Sequence, residues 1–204
     1  MRAPLAIALE QRSVAQPASA RGHFANCREA RAKAAGIGAP ESSFAAMNDL
    51  ARAISNRVTR LRNGADPALL ARMRSGWAIF AKQQPSAITG GCMLLPDPVA
   101  PSLNALGEAE RGAFLSDLVA LGDAVLAATG AEHVNYLVLC NVVPELHGHC
   151  VPRFAAEERR LRALDPFAAY DFASAPLADV GGAHRELFER LRSALESVQA
   201  TRLR

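Results

Sequence analysis

Residues 108–129 constrain the fold of this chain more than any other stretch. From Glu108 to Thr129, residues Phe114, Leu118, Leu121, Val125 and Ala128 recur at helical spacing along one face, and Gly130 follows as a stop. A helix of this length with one apolar stripe needs an apolar surface to bury it. Strand-like runs on either side offer one. Upstream lie Trp77–Ala81 and Gly91–Leu95, separated by a turn around Pro85 and ended by Pro96 and Pro98. Downstream lie Val134–Cys140, rich in Val, Leu and Tyr, and Glu145–Pro152, a strand by alternation, joined through Asn141–Pro144. Two strands, a long helix and two more strands predict an α+β fold in which an antiparallel sheet packs on one long helix.

The flanks read as further helices. Leu50, Ile54, Val58 and Leu61 predict a helix over residues 47–63, stopped by Asn63-Gly64. Asp66-Pro67 predicts the start of a short second helix running to about Arg72. Residues 98–106 form a proline-bearing loop, and 155–181 read as irregular around Pro166 and Pro176. Leu187, Leu191 and Leu195 set the stripe of a last helix over about 183–198. No internal repeat is visible.

Residues 1–46 differ from the rest. They hold six basic and three acidic residues, no apolar period and no motif, and read as a disordered tail. The run Ala3–Leu9 is too short for a secretory signal and is followed at once by Glu10 and Arg12; an organelle presequence shares the Arg-rich, acid-poor composition and stays open. Met47 opens the patterned region, so 47–204 is expected to form a single domain with its core at about 70–155. That region is neutral, with 17 basic and 17 acidic residues. A broad grip on nucleic acid is therefore not expected, although a local basic pocket for a small phosphorylated ligand is compatible with it. No uncharged apolar run reaches the roughly 18 residues of a spanning helix, so no membrane partner is expected. The cysteines at 27, 92, 140 and 150 include no CxxC pair and read as free thiols of a reducing cytoplasm, the last three as small buried hydrophobes in strands.

The chemistry concentrates in Asn141–Phe154, NVVPELHGHCVPRF. His23, His133 and His184 read as solvated or structural. On a strand, Glu145, His147, His149 and Val151 would share one face, with successive members about 6.6–7 Å apart, and Leu146, Gly148 and Cys150 the other. Gly148, without a side chain, lets another element pack closely beneath it. Arg153 can supply a planar cation to a phosphate oxygen. A neutral imidazole with one nitrogen free and the other donating to an acceptor is a good nucleophile toward phosphorus, and a second histidine can bind phosphoryl oxygens or handle the leaving-group proton. On spacing alone two other readings stay open. One is a structural pair of half-exposed strand histidines; the other is a zinc-chelating pair, for which a third ligand at a recognisable spacing is missing.

At these residues the sequence resembles the histidine triad (HIT) superfamily of nucleotide hydrolases and transferases. The family motif is His-φ-His-φ-His-φ-φ, often followed by Pro-Arg. Glu145-Leu146-His147-Gly148-His149-Cys150-Val151 falls in that frame, and Pro152-Arg153 sets the register. The resemblance implies that His147 is the nucleophile that forms a covalent nucleotidyl-histidine, and that His149 helps to bind the phosphate. The first histidine position holds Glu145. An ionised carboxylate facing the substrate there would repel its phosphates and favour protonated His147, so the usual mechanism requires Glu145 to be turned away, paired or protonated. Asn141 occupies the place of an asparagine that holds the phosphate. Gly76–Leu106 looks like the two nucleotide-pocket strands, with Trp77, Ile79 and Leu94 as pocket side chains.

The implied fold is a HIT-like antiparallel sheet with one long central helix and flanking helices, resembling the family well over about 70–155. The implied activity is hydrolysis of a nucleotide phosphoanhydride or phosphoramide bond, with dinucleoside polyphosphates as the preferred substrates. A nucleotidyltransferase, or a nucleotide-binding protein with little turnover, are the alternatives. The motif requires no cofactor and no divalent metal, and a homodimer is implied by the resemblance alone.

Overall fold

The structure, a computed structural model, describes residues 50–202. The expected tail, Met47, His23 and Cys27 lie outside the described residues. Five antiparallel strands form one sheet in the order β1-β2-β3-β5-β4: β1 Leu69–Arg72, β2 Gly76–Phe80, β3 Cys92–Pro96, β4 His133–Leu137 and β5 Gly148–Arg153. The helices are α1 Ala53–Arg62, α2 Glu108–Thr129, the short α3 Arg159–Arg162 and α4 Pro166–Ala169, and α5 Arg185–Arg202.

The two sheet faces carry different covers. On one face Ala78, Phe80, Cys92, Leu94 and Cys150 meet Phe114, Leu118, Leu121 and Val125 of α2, and Phe188, Leu191 and Leu195 of α5 join the same core. All five residues of the predicted α2 stripe are buried. By length and composition alone α2 could also cross a membrane; here it is the central core helix. It begins where the Glu110 carboxylate accepts the Gly107 N–H at 3.0 Å, and it ends at Gly130, whose φ of 69° is the left-handed conformation a glycine stop supplies. On the opposite face Ile54, Val58 and Leu61 of α1 pack on Ile79 and Leu95, with Trp77, Met93 and Val143 half-buried around them. Burying three such side chains contributes on the order of 5 kcal/mol, so packing alone docks α1 firmly.

Three sequence expectations are corrected. Leu69–Arg72 is a strand, not the continuation of a helix from Asp66-Pro67. It pairs with β2 through Ala71↔Ala78 and Arg72↔Trp77, while Asp66 turns inward to accept from Arg57 Nε at 2.8 Å and the Ala68 N–H at 3.1 Å. An available strand partner thus overrides a local helix-start signal. The downstream strands are also shorter than their patterns. β4 ends at Leu137, and Cys140 is not in a strand but at a left-handed backbone turn of φ 52°. β5 starts only at Gly148, which leaves Glu145–His147 outside the ladder. Cys92 and Cys150 are buried cross-strand neighbours, and with Cys140 they are free thiols. Burial pushes the pKa of both buried thiols up, which keeps them protonated and inert.

Candidate active site

Residue alternation along β5 sends Gly148 and Cys150 toward α2, and His149 to the face that α1 partly covers. Gly148 permits a close approach where it stands. A Cβ there would lie 2.7 Å from Leu118 Cδ1 and 3.4 Å from Phe114 Cζ, so its lack of a side chain lets α2 lie against the strand. His149 pairs in register with Met93 on one side and Leu137 on the other, on the interior strand next to the β4 edge.

His147 precedes the strand and is buried, and its ring centroid lies 4.9 Å from that of His149 at an interplanar angle of 76°. Its Nδ1 is 2.7 Å from the backbone oxygen of Glu145. A carbonyl can only accept, so this contact assigns the neutral ring its proton on Nδ1 and leaves the lone pair on Nε2. Burial and the neighbouring His147 push the pKa of His149 down to about 4, so it is neutral at neutral pH. His149 also meets the edge of Phe167 at 5.1 Å, and Phe167 in turn packs on Phe172 at 4.6 Å. The expected histidine pair is thus brought together on one surface, between the α1 side of the sheet and the segment that carries α4.

The other expected site residues fare differently. Glu145 is turned away from the histidines. Its Oε2 accepts the backbone N–H groups of Ile54 and Ser55 at 2.9 and 3.0 Å, and its Oε1 accepts the Ser55 hydroxyl. It therefore caps the N-terminus of α1 from 90 residues away and is no substrate-facing group. Asn141 is exposed in the connection from β4 to β5.

Arg153 is not available to a phosphate. It is 1% exposed and spends its donors inside the protein: on Glu157, on Asn135 Oδ1 at 2.7 Å, and on the carbonyls of Leu164 and Leu161 at 2.8 and 3.1 Å. Burial would raise the pKa of Glu157, but bonds from Arg153, Tyr170 Oη and the Phe154 N–H hold it below its ordinary value. The arginine is the anchor of the segment after β5, a role whose sequence signal was the Arg153–Glu157 spacing of four residues.

The expected pocket side chains do not form one pocket. Leu94 is fully buried against the α2 side, out of phase with Met93 and Leu95. Ile79 is fully buried beneath α1. Trp77 is half-buried, donates its indole N–H to Asp97 at 2.8 Å and lies under the Arg72 guanidinium at 4.6 Å. Sequence reasoning missed α1 as the cover of this face and Phe167 as the neighbour of His149. The apolar stripe of α1 was legible, but its destination was not. Among the described residues no group of three or more His, Cys, Asp or Glu is arranged to hold a metal ion.

No protein-family model matches the chain, and no curated protein matches it. Solved structures do. A histidine triad protein from Bradyrhizobium japonicum superposes with a TM-score of 0.53 at 17% identity, over 66% of this chain and 94% of that one. A hypothetical histidine triad nucleotide-binding protein from Sulfolobus tokodaii strain7 gives 0.53 at 11% identity, over 70% and 92%. A Zn-bound histidine triad family protein from Mycobacterium smegmatis gives 0.50 at 14% identity, over 68% and 91%. The likeness is one of fold: this chain has the α+β architecture of the histidine triad proteins.

Proposed function

We propose that the protein is a histidine triad phosphohydrolase that acts on nucleotides through a nucleotidyl-histidine at His147. The observation that carries the reading is the 2.7 Å contact of His147 Nδ1 with the Glu145 carbonyl, beside His149, whose ring is kept neutral by burial. In the proposed reaction, Nε2 of His147 attacks the α-phosphorus, an N–P bond forms and the P–O or P–N bond to the leaving group breaks. The positive charge that develops on the His147 ring is stabilised by the Nδ1–H donating to the Glu145 oxygen. His149 binds a phosphoryl oxygen or passes the proton that the leaving group takes up. Water then breaks the N–P bond and releases the nucleoside monophosphate.

The resemblance of the motif and the shared fold support this reading, as does the description of the Sulfolobus protein as nucleotide-binding. The position of Glu145 supports it further, because its carboxylate is spent on α1 and does not confront substrate phosphates. Dinucleoside polyphosphates are the proposed substrates, and no step needs a metal. A homodimer is part of the proposal; β4 is an edge of the sheet and exposes Tyr136, with Leu139 and Val142 exposed just beyond it. The test is product analysis after incubation with adenine and guanine polyphosphates. Release of nucleoside monophosphate in water supports a hydrolase, whereas transfer only to an added phosphate acceptor indicates a nucleotidyltransferase. Tight binding without any product would reduce the protein to a nucleotide binder.

A further inference from the structure

We infer that the Glu145 side chain is a positioning group for His147, acting through its own backbone carbonyl. This rests on the reading of His147 as the nucleophile. Glu145 lies outside the β5 ladder, so sheet hydrogen bonds do not orient its carbonyl. Two contacts do: the following N–H of Leu146 donates to Ala100 O at 2.8 Å, and the Glu145 carboxylate takes both the Ile54 and Ser55 N–H groups and the Ser55 hydroxyl. The helix that supplies those donors is held independently by Ile54, Val58 and Leu61 on the sheet. A rigid body thus grips the side chain of the residue whose carbonyl fixes the imidazole tautomer.

The residue type fits the task. The helix-flanking Arg52 supplies no side-chain cap to α1, so the first donors of the helix need an acceptor from elsewhere. A carboxylate accepts through two oxygens and complements the positive end of the helix. A neutral imidazole has one lone pair and cannot take three donors. The glutamate in the first position of the histidine frame is therefore a component of the site and not a defect in it. Glu145→His is expected to loosen His147 and lower turnover.

The experiment reads the His147 tautomer directly, by long-range ¹H–¹⁵N histidine correlation on the full chain, with the signals assigned by their loss in His147→Asn. The native protein should show His147 protonated on Nδ1. Glu145→Ala should give a mixture of tautomers and lower kcat by roughly 10–100-fold with KM changed less than about threefold, the expected effect of a loosened reacting group. Ser55→Ala, which removes one donor far from the reacting atoms, should give a smaller effect in the same direction. Glu145→Gln, which keeps an acceptor oxygen, should restore most of the native tautomer. Fluorescence of Trp77, the only tryptophan, reports that α1 stays docked in each variant. A single Nδ1-protonated tautomer and unchanged kcat in Glu145→Ala, with only the melting temperature lowered, would overturn the inference and leave Glu145 as a cap alone. Because the tautomer is read without substrate, absence of turnover in the native protein would sink the proposed activity and not this inference.

Discussion

Replacing Arg153 by lysine separates two roles that its sequence position allows. The side chain is 1% exposed, and its guanidinium serves the Glu157 carboxylate, Asn135 Oδ1 and the carbonyls of Leu161 and Leu164. Lysine keeps the charge, but a point-like ammonium cannot reach acceptors spread around a planar fork. Leaving two of these buried acceptors unpaired costs about 1–3 kcal/mol each. Lysine still sets a cation beside Glu157, both side chains 1% exposed, so the buried pair is loosened and not broken, and the unpaired acceptors account for most of a loss of about 2–6 kcal/mol. For a domain of this size that is a fall in Tm of roughly 10 °C. Thermal and urea unfolding followed by circular dichroism measure it, with nucleotide affinity measured alongside below the transition. An Arg153→Lys protein as stable as the native one, but with weakened nucleotide affinity, would refute the anchoring role and return Arg153 to the phosphate.

Two further predictions follow from the packing around the histidines. His149 has an ordinary pKa of 6.5 that the fold lowers to about 4, so the unfolded chain binds this proton more readily. Its contribution is therefore complete above pH 6.5, is lost as pH falls from 6.5 to 4, and is at most about 3 kcal/mol; urea unfolding at a series of pH values should show that slope, and His149→Asn should flatten it. Gly148→Ala places a methyl group against Leu118 and should destabilise the fold by about 1–3 kcal/mol through overpacking, measured by urea unfolding; unchanged stability would mean that Leu118 yields freely.

Much of the fold was legible because its signals are local. The α2 boundaries follow from an apolar stripe that runs up to a glycine stop, and the observed helix spans Glu108–Thr129. The histidine pair was legible because the alternation of Gly148, His149 and Cys150 survives in β5. What was not legible depends on partners distant in the chain. Asp66-Pro67 looked like a helix start until β2 offered Leu69–Arg72 a ladder. Leu94 belonged to a pocket only if its strand were one residue out of phase. Arg153 carries a charge that read as a substrate contact, and Glu145 one that had to be turned away, paired or protonated without a visible partner; both are consumed by protein groups. For Glu145 the deciding neighbour, α1, lies some 90 residues away; for Arg153 it is Asn135 together with the nearby Glu157 and the backbone carbonyls of Leu161 and Leu164, which leave no mark on a side-chain pattern.

The central claim is that His147 becomes covalently nucleotidylated, and trapping that species tests it most directly. The full chain is mixed with a dinucleoside polyphosphate and quenched in denaturant at alkaline pH, because a phosphoramidate bond to histidine is acid-labile. Intact mass and peptide mapping then locate the adduct. The account predicts one added nucleotidyl mass on the peptide carrying His147. It should be absent in His147→Asn and present, at a rate lowered by roughly 10²–10⁴-fold, in His149→Asn. An adduct mapped to His149, or undiminished turnover by His147→Asn, would contradict it.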